Sequence, residues 1–251
     1  MSDTVNRFSN RVENYVKYRP GYPPEVLETF RTEMNLTENS VFADIGSGTG
    51  ISARVFLENG NRVFGVEPNA AMRGAAEIFL KDFSKFESVD GTAENTTLEN
   101  NSVDFVTAAQ AFHWFDPAKT RAEFSRILRA KGYVVLIWNE RKLNANGFLR
   151  EYENFLIKFG NDYETVRHDR LDENKLREFF QKDFSRKTFQ NIQMLDFQGL
   201  KGRVVSSSYM PSESDESFEP MVIELTTLFD KYAENGKIEI LYDTNIFYTH
   251  F

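Results

Sequence analysis

Residues 41–50 read Val-Phe-Ala-Asp-Ile-Gly-Ser-Gly-Thr-Gly, and no other stretch constrains the fold as tightly. A short apolar run ends in an acid, and glycines follow at alternate positions. A brief apolar run bounded by a turn signal reads as a buried strand of a parallel sheet. Glycine lets the chain turn sharply and lets a ligand approach the backbone, because no Cβ intervenes. The helix that follows offers unpaired N–H groups in its first turn. The unit predicted is strand, ligand-holding turn, helix.

Two ligand classes suit such a turn. A nicotinamide or flavin dinucleotide uses G-x-G-x-x-G/A and rests its pyrophosphate on the helix N-terminus. Gly46 and Gly48 fit its first two positions, but the third falls on Ile51, where a small residue is wanted. Asp44 would also face the pyrophosphate unfavourably. A ligand with a cationic, amine-bearing end suits Asp44 better, and S-adenosylmethionine has one. The plainer reading of Asp44 is a buried carboxylate bonded to loop N–H groups. A second strand, 62–66, ends at Glu67, about 20 residues past the loop, where an acid accepts from ribose hydroxyls. Strands are also expected at 86–89, 102–109 and 133–138. The polar turn 90–94 would bring Thr92, Ala93 and Glu94 to an adenine ring, Ala93 through its N–H. Met72 sits on the helical stripe Met72, Ala75, Ala76, Phe79, Leu80 and reads first as core, second as an adenine neighbour.

In this order the chain resembles class I S-adenosylmethionine-dependent methyltransferases of the small-molecule type (methyltransferase type 11), with the trans-aconitate-methyltransferase-like subgroup nearest. The resemblance rests on Asp44-Ile-Gly-Ser-Gly-Thr-Gly50, Gly65-Val-Glu-Pro-Asn69, Gly91-Thr-Ala-Glu94, Ala109-Gln-Ala-Phe-His-Trp-Phe115 and Arg126-Ile-Leu-Arg-Ala-Lys-Gly-Tyr133. Tyr15-Val-Lys-Tyr-Arg-Pro-Gly-Tyr-Pro23 is similar to the family's cofactor lid. The resemblance implies an α/β, Rossmann-like fold: a mostly parallel seven-stranded sheet, a final antiparallel strand and a helical cap insertion. It implies S-adenosylmethionine as cofactor, bound by Tyr15, Arg19, Asp44, Gly46, Ser47, Gly48, Glu67, Pro68, Met72, Thr92, Ala93, Glu94 and Gln110. Many relatives carry Asp where this chain has Thr92, which puts that adenine contact in question.

Four segments are expected: a lid at 1–30, a cofactor-binding core at 31–138, a helical cap with the sixth strand region at 139–235, and a closing strand at 236–251. Helices should cover 49–57, the stretch capped by Asn69, and the one opened by Asp116-Pro117, whose buried face is Phe124, Ile127 and Leu128. Beyond Trp138, a polar loop at 139–146 precedes helices at 147–159 and 171–180. A strand is read at 183–195, and helices at 200–208 and 218–233.

With 251 residues the chain can bury roughly 70–75% of its unfolded surface. It has no cysteine, which removes disulfides, zinc–thiolate sites, iron–sulfur clusters and cysteine nucleophiles. No His/Asp/Glu spacing suggests a metal site. The net charge of -8 opposes binding to nucleic acid, and the basic residues within 167–177 alternate with acids as a solvated face does. No signal segment or apolar run of spanning length is present, so a cytoplasmic protein away from the membrane is expected. The oligomeric state is not legible.

The activity expected is in-line methyl transfer to a small organic acceptor, at a hydroxyl or carboxyl oxygen. His113 is the candidate base, or else a histidine that orders its loop. Gln110 and Tyr18 are the other candidates near the methyl; Tyr18 reads equally as packing for an N-terminal helix. Arg19 could pair with the cofactor carboxylate. Phe112, Trp114, Tyr209 and the segment 206–211 are candidates to wall the acceptor. A non-catalytic or partner-dependent cofactor-binding protein and, more distantly, an NAD-dependent oxidoreductase are the competing readings. His168 and His250 receive no role.

Overall fold

The computed structural model describes residues 12–161, 163 and 173–251. Its centre is a seven-stranded sheet in the order β3-β2-β1-β4-β5-β7-β6. Strands β1 (Val41–Ile45), β2 (Arg62–Val66), β3 (Phe86–Val89), β4 (Val103–Ala109) and β5 (Leu128–Arg141) run parallel. The last strand, β7 (Ile238–His250), is antiparallel to both its neighbours, β5 and β6 (Ser185–Leu195). This is the mostly parallel, Rossmann-like sheet expected.

Helices α1 (Val12–Tyr18), α2 (Pro24–Glu33), α3 (Ile51–Glu58), α4 (Ala70–Phe79) and α5 (Pro117–Ile127) accompany the first strands. Their starts are written locally. The Asn69 side chain accepts from the N–H groups of Ala71 and Met72, and Asp116 does the same for Ala118 and Lys119 ahead of Pro117. Such caps are worth about 1 kcal/mol each. Side chains alternate across a strand, so β1 feeds both faces of the sheet. Phe42 points to one, stacked between Phe56 (centroids 4.1 Å) and Phe105 (4.8 Å), with Phe30 of α2 against all three. Ala43 and Ile45 join the other face, with Phe124 and Ile127 of α5 and Phe179 and Phe180 of α7 (Glu173–Phe180).

A third apolar cluster stands apart from the sheet's two. It joins α6 (Gly147–Phe159), α8 (Phe197–Val205) and α9 (Phe218–Tyr232) to the start of β7 through Phe148, Leu149, Leu200, Leu225, Ile240 and Tyr242. These helices fall in the segment where the helical cap was expected. Two expected boundaries move. The lid limit at residue 30 falls inside α2, whose Val26 and Phe30 are core residues, and the limit at 138 falls inside β5. β5 runs on because Asn139, Glu140 and Arg141 still pair with Thr244, Asp243 and Tyr242 of β7. Leu128 begins that strand and does not end α5. Among the described residues no helix is long and apolar enough to cross a membrane, and no group of three or more His, Asp or Glu could hold a metal ion.

The chain steps from β1 outward to β3 on one side, then resumes at β4 on the other. Loops leaving β1 and β4 therefore diverge and open a crevice at the carboxyl ends, where doubly wound sheets place ligands.

Candidate active site

The crevice holds a cavity of about 350 Å³. Its floor is the glycine turn. Gly46 has φ +65°, and a Cβ there would lie 2.6 Å from the Ala111 Cβ, so only glycine lets the two loops meet. The N–H groups of Gly46 and Ser47 donate to the Val66 carbonyl at 2.8 and 3.2 Å, tying the turn to β2. Glu67 follows that strand. Its Oε2 accepts from the Gly48 N–H (3.0 Å) and its Oε1 from the Asn69 N–H (2.9 Å). Burial raises its pKa despite those two bonds.

Asp44 lies beneath the floor, fully buried and outside the cavity lining. Its Oδ2 accepts from the Ser52 hydroxyl at 2.5 Å and its Oδ1 from the Thr107 hydroxyl at 2.8 Å, so it fastens β1 to α3 and β4. Burial pushes its pKa up to about 6. Gln110, after β4, adopts φ +57°, an uncommon conformation for a residue with a Cβ. Its N–H donates to the Ile137 carbonyl (2.9 Å) and its Nε2 to the Asn139 carbonyl (3.1 Å), and its Oε1 is buried with no partner among the described residues. His113 follows in a short 3₁₀ turn, Phe112–Trp114, with its ring against Trp114 (centroids 4.4 Å) and Trp138 (5.2 Å).

One side wall comes from α1 and the residues after it. Arg19 lies over the Tyr15 ring, 4.7 Å from its centroid, and its Nη2 donates to the Ser206 carbonyl and the Ser207 hydroxyl, both at 3.3 Å. Burial, and then the nearby Arg203 charge, lower its pKa. Asn139 and Asn191 amides hold the Gly21 carbonyl at 3.1 and 2.9 Å, and Gln193 holds that of Tyr18 at 2.8 Å. The roof is the cap. Arg203 of α8 donates through Nε to the Tyr242 hydroxyl at 3.2 Å. Arg141, at the end of β5, donates through Nη2 to Glu153 and to the Tyr163 hydroxyl (2.8 Å), which in turn donates to Glu153 at 2.8 Å.

Residues 43–136 match the family model of a methyltransferase domain. That stretch is similar to methyltransferase domains, and the sheet has the fold of solved methyltransferases. An uncharacterised methyltransferase of Mycobacterium tuberculosis H37Rv is 34% identical over 160 residues, covering 64% of this chain and 61% of the relative. The match thus spans under two thirds of that relative's own length. Among solved structures, a candidate methyltransferase from an antibiotic biosynthesis pathway of Anabaena variabilis is 26% identical, covering 93% of this chain and 98% of its own, with TM-score 0.64. Geranyl diphosphate C-methyltransferase of Streptomyces coelicolor, solved with S-adenosyl-L-homocysteine, shares the fold at 16% identity and TM-score 0.50, over 90% of this chain and 74% of its own.

The crevice gathers most of the residues expected at the site. Tyr15, Arg19, Gly46, Ser47, Gly48, Glu67, Pro68, Met72, Gln110 and His113 all line the cavity, as do Trp114 and Tyr209. Others lie elsewhere. Tyr18 is turned from the cavity and its ring packs on Gly202 of α8, which corrects its candidacy at the methyl. Asp44 is walled off by its hydroxyl partners. Thr92, Ala93 and Glu94 lie outside the lining: Thr92 closes a bridge with Asn95, and Glu94 accepts the Asp116 N–H at 3.0 Å. Phe112 is buried against Phe179, and Phe115 takes the place expected for it in the wall. His168 lies outside the described residues. Sequence reasoning missed Tyr22, Asn139, Arg141, Tyr163, Arg203 and Tyr242. A signal existed for Arg203, a charge three residues after Leu200 on the buried side of a short helix. Arg141 had none, sitting in a polar run that reads as a loop.

Proposed function

We propose that this chain transfers the methyl group of S-adenosylmethionine to a small organic acceptor enclosed beneath the cap, at an oxygen and preferably a carboxyl oxygen. The observation that carries the reading is where unsatisfied polar atoms collect. Thr49 Oγ1, Gln110 Oε1, Arg19 Nε and Arg141 Nη1 are buried without a partner among the described residues and all four residues line this one cavity, while Thr120 Oγ1 is unpartnered outside it. Buried polar groups are normally paired, so such a cluster marks where a polar ligand completes the bonding.

The residues present fit the donor. Each Glu67 oxygen spends one acceptor site on the backbone and keeps another for a ribose hydroxyl. A Cβ on Gly48 would meet no atom within 4 Å, so the turn leaves room directly above its backbone. Pro68 and Met72 line the cavity beside Glu67, which supports their flanking the purine. Arg19 faces the carboxylate of the methionine end. The S-adenosyl-L-homocysteine held by the Streptomyces coelicolor enzyme supports the same donor.

When bound, the donor supplies an electrophilic methyl on sulfur. The chain's part is to align the acceptor oxygen and exclude water, and such positioning can lower the barrier by roughly 7–11 kcal/mol in favourable cases. Tyr15, Tyr22 and Trp114 provide the apolar walls. A carboxylate oxygen needs no base; for a hydroxyl, His113 is the residue in place to take the proton.

Titration calorimetry with S-adenosylhomocysteine and with NAD tests the reading. S-adenosylhomocysteine should bind and NAD should not; binding of NAD alone overturns it. Glu67→Ala should weaken S-adenosylhomocysteine binding at least tenfold with an unchanged circular dichroism spectrum, because a hydrogen bond to a charged group is worth about 1.5–3 kcal/mol. A protein that binds S-adenosylhomocysteine yet turns over no member of a broad acceptor panel would instead be a binding module.

A further inference from the structure

Asp44, the acid expected at the methionine end of the donor, is out of reach of a ligand. Its oxygens are taken by the Ser52 and Thr107 hydroxyls, and it does not line the cavity. Resting on the reading above, the donor still brings an ammonium, whose three N–H groups need acceptors once water is excluded. Two oxygens answer that need. Thr49 Oγ1 and Gln110 Oε1 are buried without a partner among the described residues, and both residues line the cavity. The arginine nitrogens left in the same state, Arg19 Nε and Arg141 Nη1, are donors only and do not serve an ammonium.

Gln110 is held at φ +57°. A residue with a Cβ keeps that conformation only where its surroundings impose it, and such residues cluster at ligand sites. Here β5 imposes it: the Gln110 N–H and Nε2 donate to the Ile137 and Asn139 carbonyls of that one strand. The Asn139 carbonyl can only accept, so the amide nitrogen must face it and the amide oxygen is left over. Thr49 belongs to the glycine turn. Turn and β4 loop touch at Gly46 and Ala111, where an added Cβ on Gly46 would lie 2.6 Å from that of Ala111. Gln110 adjoins that contact on one loop, and Thr49 follows it on the other. Sheet order gives the direction of the ligand. β1 stands between β2 and β4. A ribose on Glu67, after β2, sends the methionine end across β1 toward the loop that carries Gln110.

We propose that Gln110 Oε1 and Thr49 Oγ1 together receive the ammonium of the donor, so that neutral oxygens hold this charge with no carboxylate in contact. The arrangement has an electrostatic reason. Arg19 is itself held by neutral oxygens, those of Ser206 and Ser207. An ionised acid in the same wall would pair with Arg19 and leave the carboxylate of the donor without its partner. Neutral acceptors take the ammonium and keep Arg19 free for that carboxylate. They also select for the amine. A ligand with hydrogen in its place leaves both oxygens buried and unpaired, which costs more than the missing bond alone.

The test is calorimetry with S-adenosylhomocysteine and with its desamino analogue, in which hydrogen replaces the ammonium. The protein should bind S-adenosylhomocysteine about tenfold more tightly or better, as hydrogen bonds to a charged group imply. Gln110→Met keeps the length of the side chain and removes its oxygen; Thr49→Val keeps the shape and removes the hydroxyl. Each should cut the preference at least threefold while the desamino analogue binds much as before. Thr49→Ser, which retains the hydroxyl, should keep the preference, and so should Asp44→Asn. A wild-type preference below tenfold, a preference that Gln110→Met or Thr49→Val leaves intact, or one lost in Thr49→Ser or Asp44→Asn would each overturn the assignment. Failure of S-adenosylhomocysteine itself to bind would instead overturn the donor reading.

Discussion

Asp44 shows how one residue can fasten the elements around a cavity without facing it. Its carboxylate is fully buried and bonded only to hydroxyls and backbone N–H, so no cation offsets the loss of water. Burial therefore raises its pKa from 3.8 to about 6. A group whose folded pKa is raised favours folding when protonated. Its contribution is fully present below pH 3.8 and lost as pH rises through 6. Asp44→Asn removes that dependence while both hydroxyls can still pair with the amide. Between pH 7.5 and pH 5 the wild type should gain about 1.4 kcal/mol relative to Asp44→Asn, read by calorimetric unfolding at the two pH values. A constant difference between the two proteins would show that Asp44 keeps an ordinary pKa. The sequence placed Asp44 at the end of a buried strand and read its charge as facing the ligand. It could not show Thr107, 63 residues away and brought beside it by strand pairing.

At the scale of elements, the contact of α1 with α8 sets how the side wall sits. Gly202 is where they touch: a Cβ there would fall 2.1 Å from the Tyr18 ring. Overpacking a buried contact costs about 1–3 kcal/mol, more than the about 1 kcal/mol that alanine gains over glycine in a helix, so Gly202→Ala should lower the melting temperature by a few degrees. The ring must also move, taking α1 and Arg19 with it. S-adenosylhomocysteine affinity should fall several-fold in calorimetry; an unaltered affinity would show that the placement of α1 does not matter to the donor. Element reading from sequence succeeded where local signals suffice. β2 and β3 fall at the expected residues because short apolar runs and turns bound them, and Asn69 and Asp116 cap as their spacing predicts. It failed at β5. Asn139, Glu140 and Arg141 are polar, and only pairing with β7, about a hundred residues on, keeps them extended. Arg203 and Arg141 belong to one roof for the same non-local reason, and no spacing in the chain announces it.

Across the whole molecule, the floor and roof of the cavity are stitched together by the segment around the end of α1. Amides from β5 and β6 hold the Gly21 and Tyr18 carbonyls, while the Arg19 guanidinium reaches across to Ser206 and Ser207. Filling the cavity should tighten this junction. Hydrogen–deuterium exchange of amides in residues 12–23 should slow when S-adenosylhomocysteine is added, with little change in β6. Exchange that ignores the ligand would make the segment a fixed part of the scaffold.

The cap has an apolar core of its own, with Leu200, Leu225 and Ile240 at its centre, distinct from the clusters on either face of the sheet. The stretch matching the methyltransferase domain ends at residue 136, before Arg141, Tyr163, Arg203 and Tyr242 enter the chain. On the proposed function, a relative that kept the turn and Glu67 but changed the residues overhead would keep the donor and take another acceptor. Kinship measured over the first half of such a chain foretells a shared reagent and says nothing of a shared product.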